Sequence, residues 1–317
     1  MIYQINALAF NMKILLAEYA VGIGLNGTLL KEGGAMLKTL VDSFSRIGHE
    51  VTYLSSGPVL QNGKAVSSCK ENFQSVLETE ALCADAGLVI GPDELLANLS
   101  AIIENNTINM GCSSVSAGLC ADKLECTRIL QSNCISVPRI IENGPEGICV
   151  IKPRFGCASE GVRMAVSSNV QEGYIATEYI EGEHLSVSMI CGKRSLPLSV
   201  NKQHIEIDCS KPGSPVIYKG NIVPFRTEQD QELFDVAVKT GRVLGCNGYI
   251  GVDIVYGKEP YVVDVNPRPT TAIYGLARTL RTEIGELLLK NVLGELPDAV
   301  STEGEFSFTK DDFEDIV

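Results

Sequence analysis

The chain has 317 residues, 45% of them hydrophobic and 21% charged, which excludes a disordered or fibrous protein and predicts two or three subdomains that share interfaces. Twenty-six Lys and Arg against 39 Asp and Glu give a formal net charge of −13, which disfavours nucleic acid and anionic membranes as partners. No run of about 18 apolar residues is present that could span a bilayer.

Strands alternate with helices through roughly the first 110 residues. Lys13 to Ala17, Glu50 to Leu54 and Leu88 to Ile90 are short apolar strands. Apolar residues recur at helical spacing over 36–47, 73–84 and 95–103, and Gly48 ends the first of these helices. Strands that alternate with helices predict a parallel sheet.

Beyond about residue 110 the pattern indicates an α+β arrangement. Helices are predicted near 122–133 and 233–244. Strands are predicted at 148–152, 162–166, 175–179, 185–191, 249–256 and 261–265. Pro297 and the acidic segment that follows predict the end of the packed body, since residues 303–317 hold six acids against Lys310.

The cysteines and histidines disfavour several kinds of site. Eleven cysteines are spread along the chain without a Cys-x-x-Cys pair, which argues against a zinc site or a disulfide framework. Small buried thiols are typical of a reducing compartment, so we expect a cytoplasmic protein. With three histidines and no Gly-x-Ser-x-Gly motif, a Ser-His-Asp hydrolase has little support.

A Gly-x-Gly-x-x-Gly motif follows the first strand, at Gly22, Gly24 and Gly27. Such a motif is found in nicotinamide-binding domains, where a helix begins at once and an acid ends the next strand. Here the periodic helical positions begin later, and the second strand ends in Ser55 and Ser56. A glycine-rich turn is therefore favoured, with a nicotinamide oxidoreductase as the alternative.

Lys152 ends a predicted strand and is followed by a loop of small residues that includes Gly156, Ser159, Glu160 and Gly161. A lysine in this position can reach nucleotide phosphates, and backbone N–H groups of the loop can approach them closely. The lysine precedes the glycines, so this is not a Walker A loop. The alternative is a β-hairpin with a glycine turn.

The last predicted strand pair carries two carboxylates. If Tyr256 and Tyr261 close a four-residue loop, Asp253 lies directly opposite Asp264, and Asn266 shares that face. Opposed carboxylates have Cβ atoms roughly 5 Å apart and repel each other. A divalent cation relieves that repulsion, and these oxygens are the hard ligands that Mg²⁺ prefers. The alternative is a chance pair on a solvated face.

Taken together, these motifs occur in the order and spacing of the ATP-grasp ligases, which the chain resembles over roughly residues 13–295. The residues that carry the resemblance are Asp122-Lys123, Lys152-Pro153 with its loop, Glu178-Tyr179-Ile180-Glu181-Gly182-Glu183, Asp253, and Asp264-Val265-Asn266-Pro267-Arg268. Further runs look most similar to the tyramine–glutamate ligases of methanofuran biosynthesis. These runs are Glu18-Tyr19-Ala20, Glu32-Gly33, Ala35-Met36-Leu37, Asn201-Lys202-Gln203 and Asn266 to Thr271.

The resemblance implies an ATP-grasp fold of α/β and α+β parts. We expect an N-terminal Rossmann-like domain over 1–110 and a central lid over 111–181. A C-terminal α+β subdomain over 182–300 and an acidic tail over 301–317 follow. ATP would be clamped between the lid and the C-terminal subdomain.

The resemblance also implies a role for each motif. Lys123 and Lys152 would hold phosphates, and the loop with Gly156, Ser159, Glu160 and Gly161 would close over the γ-phosphate. Glu178, Tyr179 and Ile180 would contact adenine. Glu183 would contact the ribose, although the family spacing also allows His184. Asp253, Asp264 and Asn266 would bind one or two Mg²⁺ or Mn²⁺ ions, and Arg268 and Lys152 would be catalytic, with a structural salt bridge as the alternative for Arg268.

The activity implied is ATP-dependent amide formation through an acylphosphate, joining L-glutamate to tyramine with release of ADP and phosphate. The partners are then a small carboxylate and a small amine, and homodimer formation is left open. The alternatives are another amino-acid ligase, such as that of pyrrolysine synthesis, the nicotinamide oxidoreductase, and a non-catalytic ATP-binding protein.

Overall fold

A computed structural model describes residues 11–142, 147–156, 161–166, 170–208, 211 and 213–313. The first of three β-sheets is parallel, and its strands are β1 (Lys13–Glu18), β2 (Glu50–Ser55), β3 (Lys64–Ser67), β4 (Ala86–Ile90) and β5 (Ile108–Asn109). The strand order is β3-β2-β1-β4-β5, so the chain reverses direction across the sheet between β1 and β4. Ligands of open α/β sheets bind outside the carboxyl ends of the strands at such a point.

Helices connect these strands as predicted, with one addition. They are α1 (Tyr19–Ile23), α2 (Thr28–Arg46), α3 (Phe73–Ala81) and α4 (Asp93–Asn106). The addition is α1, which lies inside the glycine motif. Gly24 ends α1 in the left-handed conformation, Gly27 precedes α2, and a Cβ at Gly22 would lie 2.3 Å from the Phe73 ring. The motif thus serves helix ends and packing, and the strand–turn–helix phosphate loop of a nicotinamide site is not formed.

The second sheet is small and antiparallel, with strands β6 (Cys149–Pro153), β7 (Arg163–Ala165) and β8 (Tyr174–Glu178) in the order β7-β6-β8. Two helices precede it, α5 (Ser114–Ala121) and α6 (Lys123–Ser132). Their buried residues Cys120, Cys126 and Leu130 belong to the core of the third sheet. The unit formed by the small sheet therefore begins later than the predicted lid boundary at residue 111.

The third sheet has six antiparallel strands in the order β13-β12-β9-β10-β11-β14. Its strands are β9 (Glu183–Cys191), β10 (Leu196–Glu206), β11 (Ile217–Val223), β12 (Gly248–Tyr256), β13 (Pro260–Asn266) and β14 (Phe306–Thr309), and its helices are α7 (Asp230–Val243), α8 (Ala272–Thr279) and α9 (Ile284–Leu293). Part of the sheet packs on α7. A second core, which includes Leu40, Tyr249 and Leu287, joins this sheet to α2 and α9.

The packed body does not end near Pro297, and that prediction is wrong. β14 pairs with β11, and a short 3-10 helix (Lys310–Phe313) follows it. Phe308 and Phe313 are fully buried, and the Tyr274 ring packs edge-on against both. The segment is acidic overall, but Phe306 and Phe308 are two residues apart and so lie on one face of a strand.

The predicted pairing of Asp253 with Asp264 is confirmed, but not by the predicted loop. Tyr256 pairs with Pro260, so the loop is one residue shorter than expected. The register then shifts between Asp253 and Ile254, because Val262 pairs with Ile254 and Val263 is an extra residue. A β-bulge at Val263 therefore restores the facing carboxylates.

Nine cysteines fall within the described ranges, and all nine are free thiols. Six of them are buried, as the absence of a disulfide pattern predicts. None of the helices in the described ranges is long and apolar enough to cross a membrane.

Candidate functional site

A cavity of about 340 Å³ is lined by residues of all three sheets. The parallel sheet contributes Glu18, the small sheet contributes Lys152, and the six-stranded sheet contributes Asp253 and Asp264. A volume of this size lies within the range of small-molecule sites, roughly 300 to 1,000 Å³.

Asp253 and Asp264 face each other across β12 and β13. Asp253 accepts hydrogen bonds from the Gln203 amide at 3.0 Å and the Asn266 amide at 3.2 Å. Burial raises the pKa of Asp253 to about 7, and the negative charge of Asp264 adds to the effect. Desolvation also opposes ionisation of Asp264, but the Lys123 and Lys152 ammonium groups outweigh it and lower the pKa of Asp264. The two carboxylates thus differ in affinity for protons.

The donor set suits a divalent cation. Asp253, Asp264 and Asn266 offer two carboxylates and one amide, all hard oxygen ligands of the type that Mg²⁺ and Mn²⁺ take. The Asn266 amide directs its NH₂ group to Asp253, so a half-turn of the amide would present its oxygen instead. No group of three or more His, Cys, Asp or Glu in the described ranges is arranged to hold a metal ion, so a metal at Asp253 and Asp264 needs the Asn266 amide as its third ligand.

The Lys123 ammonium group lies between two carboxylates, 3.0 Å from Asp264 Oδ1 and 3.2 Å from Asp93 Oδ2. Burial of Lys123 lowers its pKa, but both carboxylates raise it, and the result is a pKa above the usual range. Lys123 therefore stays charged in a buried position at the predicted phosphate site.

Asp93 was not found from the sequence. It opens α4 just past the carboxyl end of β4, which lies next to β1 at the reversal point of the parallel sheet. Burial raises the pKa of Asp93, while Arg268 and Lys123 oppose that rise. An acid in this position is itself a signal, because ligands bind outside the carboxyl ends of strands at such a point.

Lys152 lies on the cavity wall formed by the small sheet. Its buried ammonium group donates a hydrogen bond of 2.7 Å to the main-chain oxygen of Val263, and burial lowers its pKa. Gly156 lines the same cavity, whereas Gly161 lies beside Pro153 and Tyr174. The predicted loop residues Ser159 and Glu160 fall outside the described residues.

The predicted adenine segment, Glu178 to Ile180, lines the cavity at the end of β8. Glu178 accepts a hydrogen bond of 2.8 Å from the Arg139 backbone N–H, so its carboxylate holds a neighbouring loop. The segment is thus held by a neighbouring loop, and its residues form part of the cavity wall.

Glu183, which was predicted to contact the ribose, does not line the cavity. Among the described residues that line the cavity, His184 is present and Glu183 is not. Successive residues of a strand point to opposite faces, and the Glu183 carboxylate pairs with Lys202. His184, the second option from the sequence, is the residue on the cavity side.

Arg268 is nearly buried, with 11% of its side chain exposed, and it lines the cavity. Its Nη2 lies 3.8 Å from Asp93 Oδ1, and its Nη1 donates to the Pro269 carbonyl at 3.3 Å. Its buried Nε has no hydrogen-bond partner among the described residues. The long contact with Asp93 leaves the guanidinium incompletely paired, so its charge remains available to an anion in the cavity.

Glu18 is the last residue of β1 and is buried in the cavity wall. Its Oε2 accepts a hydrogen bond of 2.8 Å from the Val21 N–H. Burial raises the pKa of Glu18 to about 7, although the backbone N–H groups and the charge of Arg268 act in the opposite direction. In the sequence this residue stood out only through the family resemblance.

Comparison with known proteins places the chain in a family. A model of the ATP-grasp domain matches residues 120–272. Tyramine–L-glutamate ligase of Methanocaldococcus jannaschii is 32% identical over 298 residues, which cover 89% of this chain and 90% of that enzyme. The chain is an ATP-grasp ligase. The enzyme of the same name from Methanocaldococcus fervens is 32% identical to this ligase over 300 residues, or 89% and 94% of the two chains.

Solved structures agree with this assignment. The ligase superposes on an ATP-grasp superfamily protein from Archaeoglobus fulgidus with a TM-score of 0.74 and 31% identity, covering 92% and 90% of the two chains. An L-amino acid ligase from Bacillus licheniformis gives a TM-score of 0.66 at 16% identity, over 89% and 74% of the chains, and shows the fold alone. The predicted ATP-grasp fold is therefore confirmed.

The family also confirms the general chemistry. The protein is an ATP-dependent ligase that forms carbon–nitrogen bonds, and ATP-grasp enzymes use ATP and divalent metal ions. The donor set of Asp253, Asp264 and Asn266 fits that requirement.

Proposed function

We propose that this ligase phosphorylates the side-chain carboxylate of L-glutamate with ATP and joins it to tyramine, releasing γ-glutamyltyramine, ADP and phosphate. The observation that carries the proposal is the meeting of the facing acids Asp253 and Asp264 with Lys123 and Lys152 in one cavity. The 32% identity to two tyramine–L-glutamate ligases supports the choice of substrates.

The nucleotide would lie between the small sheet and the six-stranded sheet. We assign the phosphates to Lys123 and Lys152, the adenine to the segment 178–180, and the ribose to His184. A divalent cation held by Asp253, Asp264 and Asn266 supplies charge neutralisation for phosphoryl transfer. Mg²⁺ or Mn²⁺ as the ion, and the cytoplasm as the location, are part of the proposal.

The reaction proceeds in two displacements. A carboxylate oxygen of glutamate attacks the γ-phosphorus, and the bond to the leaving ADP oxygen breaks, which gives an acylphosphate. The amine nitrogen of tyramine then attacks the acyl carbon, and the bond to phosphate breaks. Arg268 lines the cavity, and we assign its guanidinium charge to the oxygen on which negative charge develops.

The attacking amine must lose a proton, and we assign that proton to Glu18. The carboxylate lines the cavity, and burial raises its pKa to about 7, a value suited to a general base at neutral pH. Leu25, Leu29 and Met36 line the same cavity and offer an apolar wall to the ring of an arylalkyl amine.

The proposal is tested by incubating the purified protein with ATP, Mg²⁺, L-glutamate and tyramine, and measuring ADP and the amide by mass spectrometry. We expect equal amounts of ADP and γ-glutamyltyramine, and neither product when one substrate is omitted. No ADP release with this pair, but release with another acid and amine, would mean that the substrates are wrong and the class is right. Tight ATP binding without turnover on any pair would favour a non-catalytic ATP-binding protein.

A further inference from the structure

An ion pair lies inside the cavity at some distance along the chain from every predicted motif of the ATP site. The Lys310 ammonium group is 2.9 Å from Glu32 Oε1, and the two side chains are 26% and 9% exposed. Both residues line the cavity that contains Asp253 and Arg268. Lys310 comes from the acidic C-terminal segment, whereas Glu32 comes from α2 of the parallel-sheet domain.

The Lys310 backbone is firmly held. β14, which ends at Thr309, is hydrogen-bonded to β11, and the Thr309 N–H donates to Asp312 at 2.6 Å. Phe308 and Phe313, on either side of Lys310, are fully buried. A charged group held this way on packed elements can act as a fixed recognition point.

Tyr218 lies between this ion pair and the metal-binding acids. The Lys310 ammonium group is 5.2 Å from the centre of the Tyr218 ring, and the Tyr218 hydroxyl is 2.9 Å from the Thr271 hydroxyl. Burial raises the pKa of Tyr218, and the charges of both Glu32 and Asp253 raise it further. The ion pair and the metal-binding acids are therefore both close enough to act on one tyrosine.

The charges of Lys310 and Glu32 are complementary to those of an α-amino acid: the lysine can pair with its carboxylate and the glutamate with its ammonium group. An α-amino acid carries both groups on one carbon. It can therefore contact Lys310 and Glu32 at the same time, so that two ion pairs with the ligand replace the one between the side chains. Removing either charge alone leaves the other, which is largely shielded from solvent, without its partner, and this is unfavourable. The pair thus selects a ligand with both charges over a ligand with one.

We propose that Lys310 binds the α-carboxylate and Glu32 the α-ammonium group of the amino-acid substrate. This proposal rests on the proposed function and adds how the donor is chosen. With its α-groups held at Lys310 and Glu32, the amino acid presents its side-chain carboxylate towards the phosphates. The amide then forms at the side chain and not at the α-carboxylate.

Two analogues of glutamate separate the two contacts. 4-Aminobutanoate lacks only the α-carboxylate, and glutarate lacks only the α-ammonium group. kcat/KM for each acid is measured by ADP release with tyramine present. We expect the wild-type protein to prefer glutamate over each analogue by roughly 10- to 100-fold, the effect of one hydrogen bond between charged groups.

The variants Lys310→Met and Glu32→Gln should remove one preference each. In Lys310→Met the preference over 4-aminobutanoate falls to within about threefold while that over glutarate persists, and in Glu32→Gln the reverse holds. The ion pair of Lys290 with Glu286 has a similarly exposed lysine and does not line the cavity, so it provides matched controls: Lys290→Met and Glu286→Gln should keep both preferences. KM values for ATP and tyramine report on the rest of the site and should stay within about twofold of the wild type in all four variants.

Several results would contradict the assignment of Lys310 and Glu32 to the α-groups of the amino acid. Preferences that persist in both variants, or a KM change for tyramine in place of glutamate, would show that the pair does not bind the amino acid. If the single variants fail to fold, the double variant Glu32→Met/Lys310→Met, which leaves no uncompensated charge, should fold and lose both preferences. Retention of either preference in the double variant would contradict the proposal.

The wild-type reaction separates failure of the subsite from failure of the proposed function. If the wild type uses glutamate and the variants keep their preferences, only the subsite is wrong. If the wild type uses a different α-amino acid, the substrate assignment is wrong, and the deaminated and decarboxylated analogues of that acid test the subsite. If the wild type accepts only acids without an α-amino group, both the glutamate assignment and the Lys310–Glu32 subsite are wrong.

Discussion

The Lys152 ammonium group donates a hydrogen bond of 2.7 Å to the main-chain oxygen of Val263, the extra residue of the bulge in β13. A bulge leaves its extra residue without a regular ladder partner, so the carbonyl is available to a side chain. Asp264 follows Val263 directly. One bond therefore ties the small sheet to the strand that carries Asp264.

Lys152→Met should impair catalysis without weakening the fold. Loss of a fixed cation beside the phosphates should lower kcat/KM by roughly 10²- to 10³-fold. Burial lowers the pKa of Lys152, so its charge is unfavourable in the folded protein, and removing that charge offsets the lost hydrogen bond to Val263; we expect the melting temperature to change by less than about 5 °C.

The control for Lys152 is Lys239→Met. Lys239 donates to a main-chain carbonyl, that of Cys134, at the same distance of 2.7 Å, but on the surface. It should leave kcat/KM unchanged. A fall in melting temperature of more than about 5 °C in Lys152→Met alone would show that the lysine is mainly structural.

Asp264→Asn should abolish turnover while the fold is retained. The wild type should lose activity in a chelator and regain it with Mg²⁺, because the carboxylates of Asp253 and Asp264 need a cation in common. The variant should not regain activity, since it keeps only one of the two charges. Asp235→Asn changes a surface acid bonded to Gln231 and serves as the control. Metal-dependent activity in Asp264→Asn would mean that the metal ligands are wrongly assigned.

Glu18→Gln should change how stability depends on pH. The pKa of Glu18 is raised from 4.5 to about 7, so between these values the folded protein keeps a proton that the unfolded chain releases. The stability contributed by the protonated carboxyl is thus complete below pH 4.5 and is lost as pH rises through 7. The full shift corresponds to about 3 kcal/mol.

Melting temperatures of wild type and Glu18→Gln measured from pH 5 to pH 8 test this expectation. The wild-type value minus the variant value should fall by roughly 5 °C over that range. Other titrating groups, Asp253 included, are common to both proteins and cancel in the difference. Glu286→Gln, which removes the ion pair with Lys290, should give a constant difference. A wild-type advantage that grows with pH would contradict burial of a protonated Glu18.

Gly33→Ala should destabilise the protein through Glu18. A Cβ at position 33 would lie 2.3 Å from the Glu18 Oε2 atom, so the carboxylate or α2 must move. We expect the free energy of unfolding to fall by about 1–3 kcal/mol in chemical denaturation. Gly118→Ala is the matched helical control, because its Cβ would come no closer than 3.7 Å to Ala97, and it should be neutral or stabilising by up to about 1 kcal/mol.

A double variant shows whether the clash with Glu18 is the cause. Glu18→Ala removes the side chain that a Cβ at position 33 would meet. The effects of Glu18→Ala and Gly33→Ala should therefore sum to more than the effect of the double variant. Strict additivity would show that Gly33 matters for another reason.

The sequence predicts that Asp253 and Asp264 face each other but not how the strands bring them together. Period-two alternation places Asp264 and Asn266 on one face, and that rule holds whatever the turn. The bulge at Val263 could not be predicted, because its carbonyl is satisfied by Lys152 from a different sheet. Local sequence carries no information about a partner so far along the chain.

The strands that line the cavity were also harder to predict than the strands of the core. β11 and the second half of β10 do not show the pattern of a core strand, because they place Gln203, Tyr218 and Asn221 in the cavity wall. The first half of β10 does show it, since Leu196, Leu198 and Val200 alternate in the core. The position of Lys310 in the cavity could not be predicted, because the acidic composition of its segment indicates an exposed tail. Phe308 and Phe313 are nevertheless buried and hold the segment in the core.

Phosphorylation of the carboxylate substrate in this cavity is the step on which the proposed reaction depends. Glutamate labelled with ¹⁸O in its side-chain carboxylate is incubated with ATP, Mg²⁺, tyramine and the ligase, and the phosphate released is analysed by mass spectrometry. Attack of the carboxylate oxygen on the γ-phosphorus predicts one ¹⁸O atom in each phosphate, with ADP as the nucleotide product. Unlabelled phosphate, or release of AMP and pyrophosphate, would contradict the account.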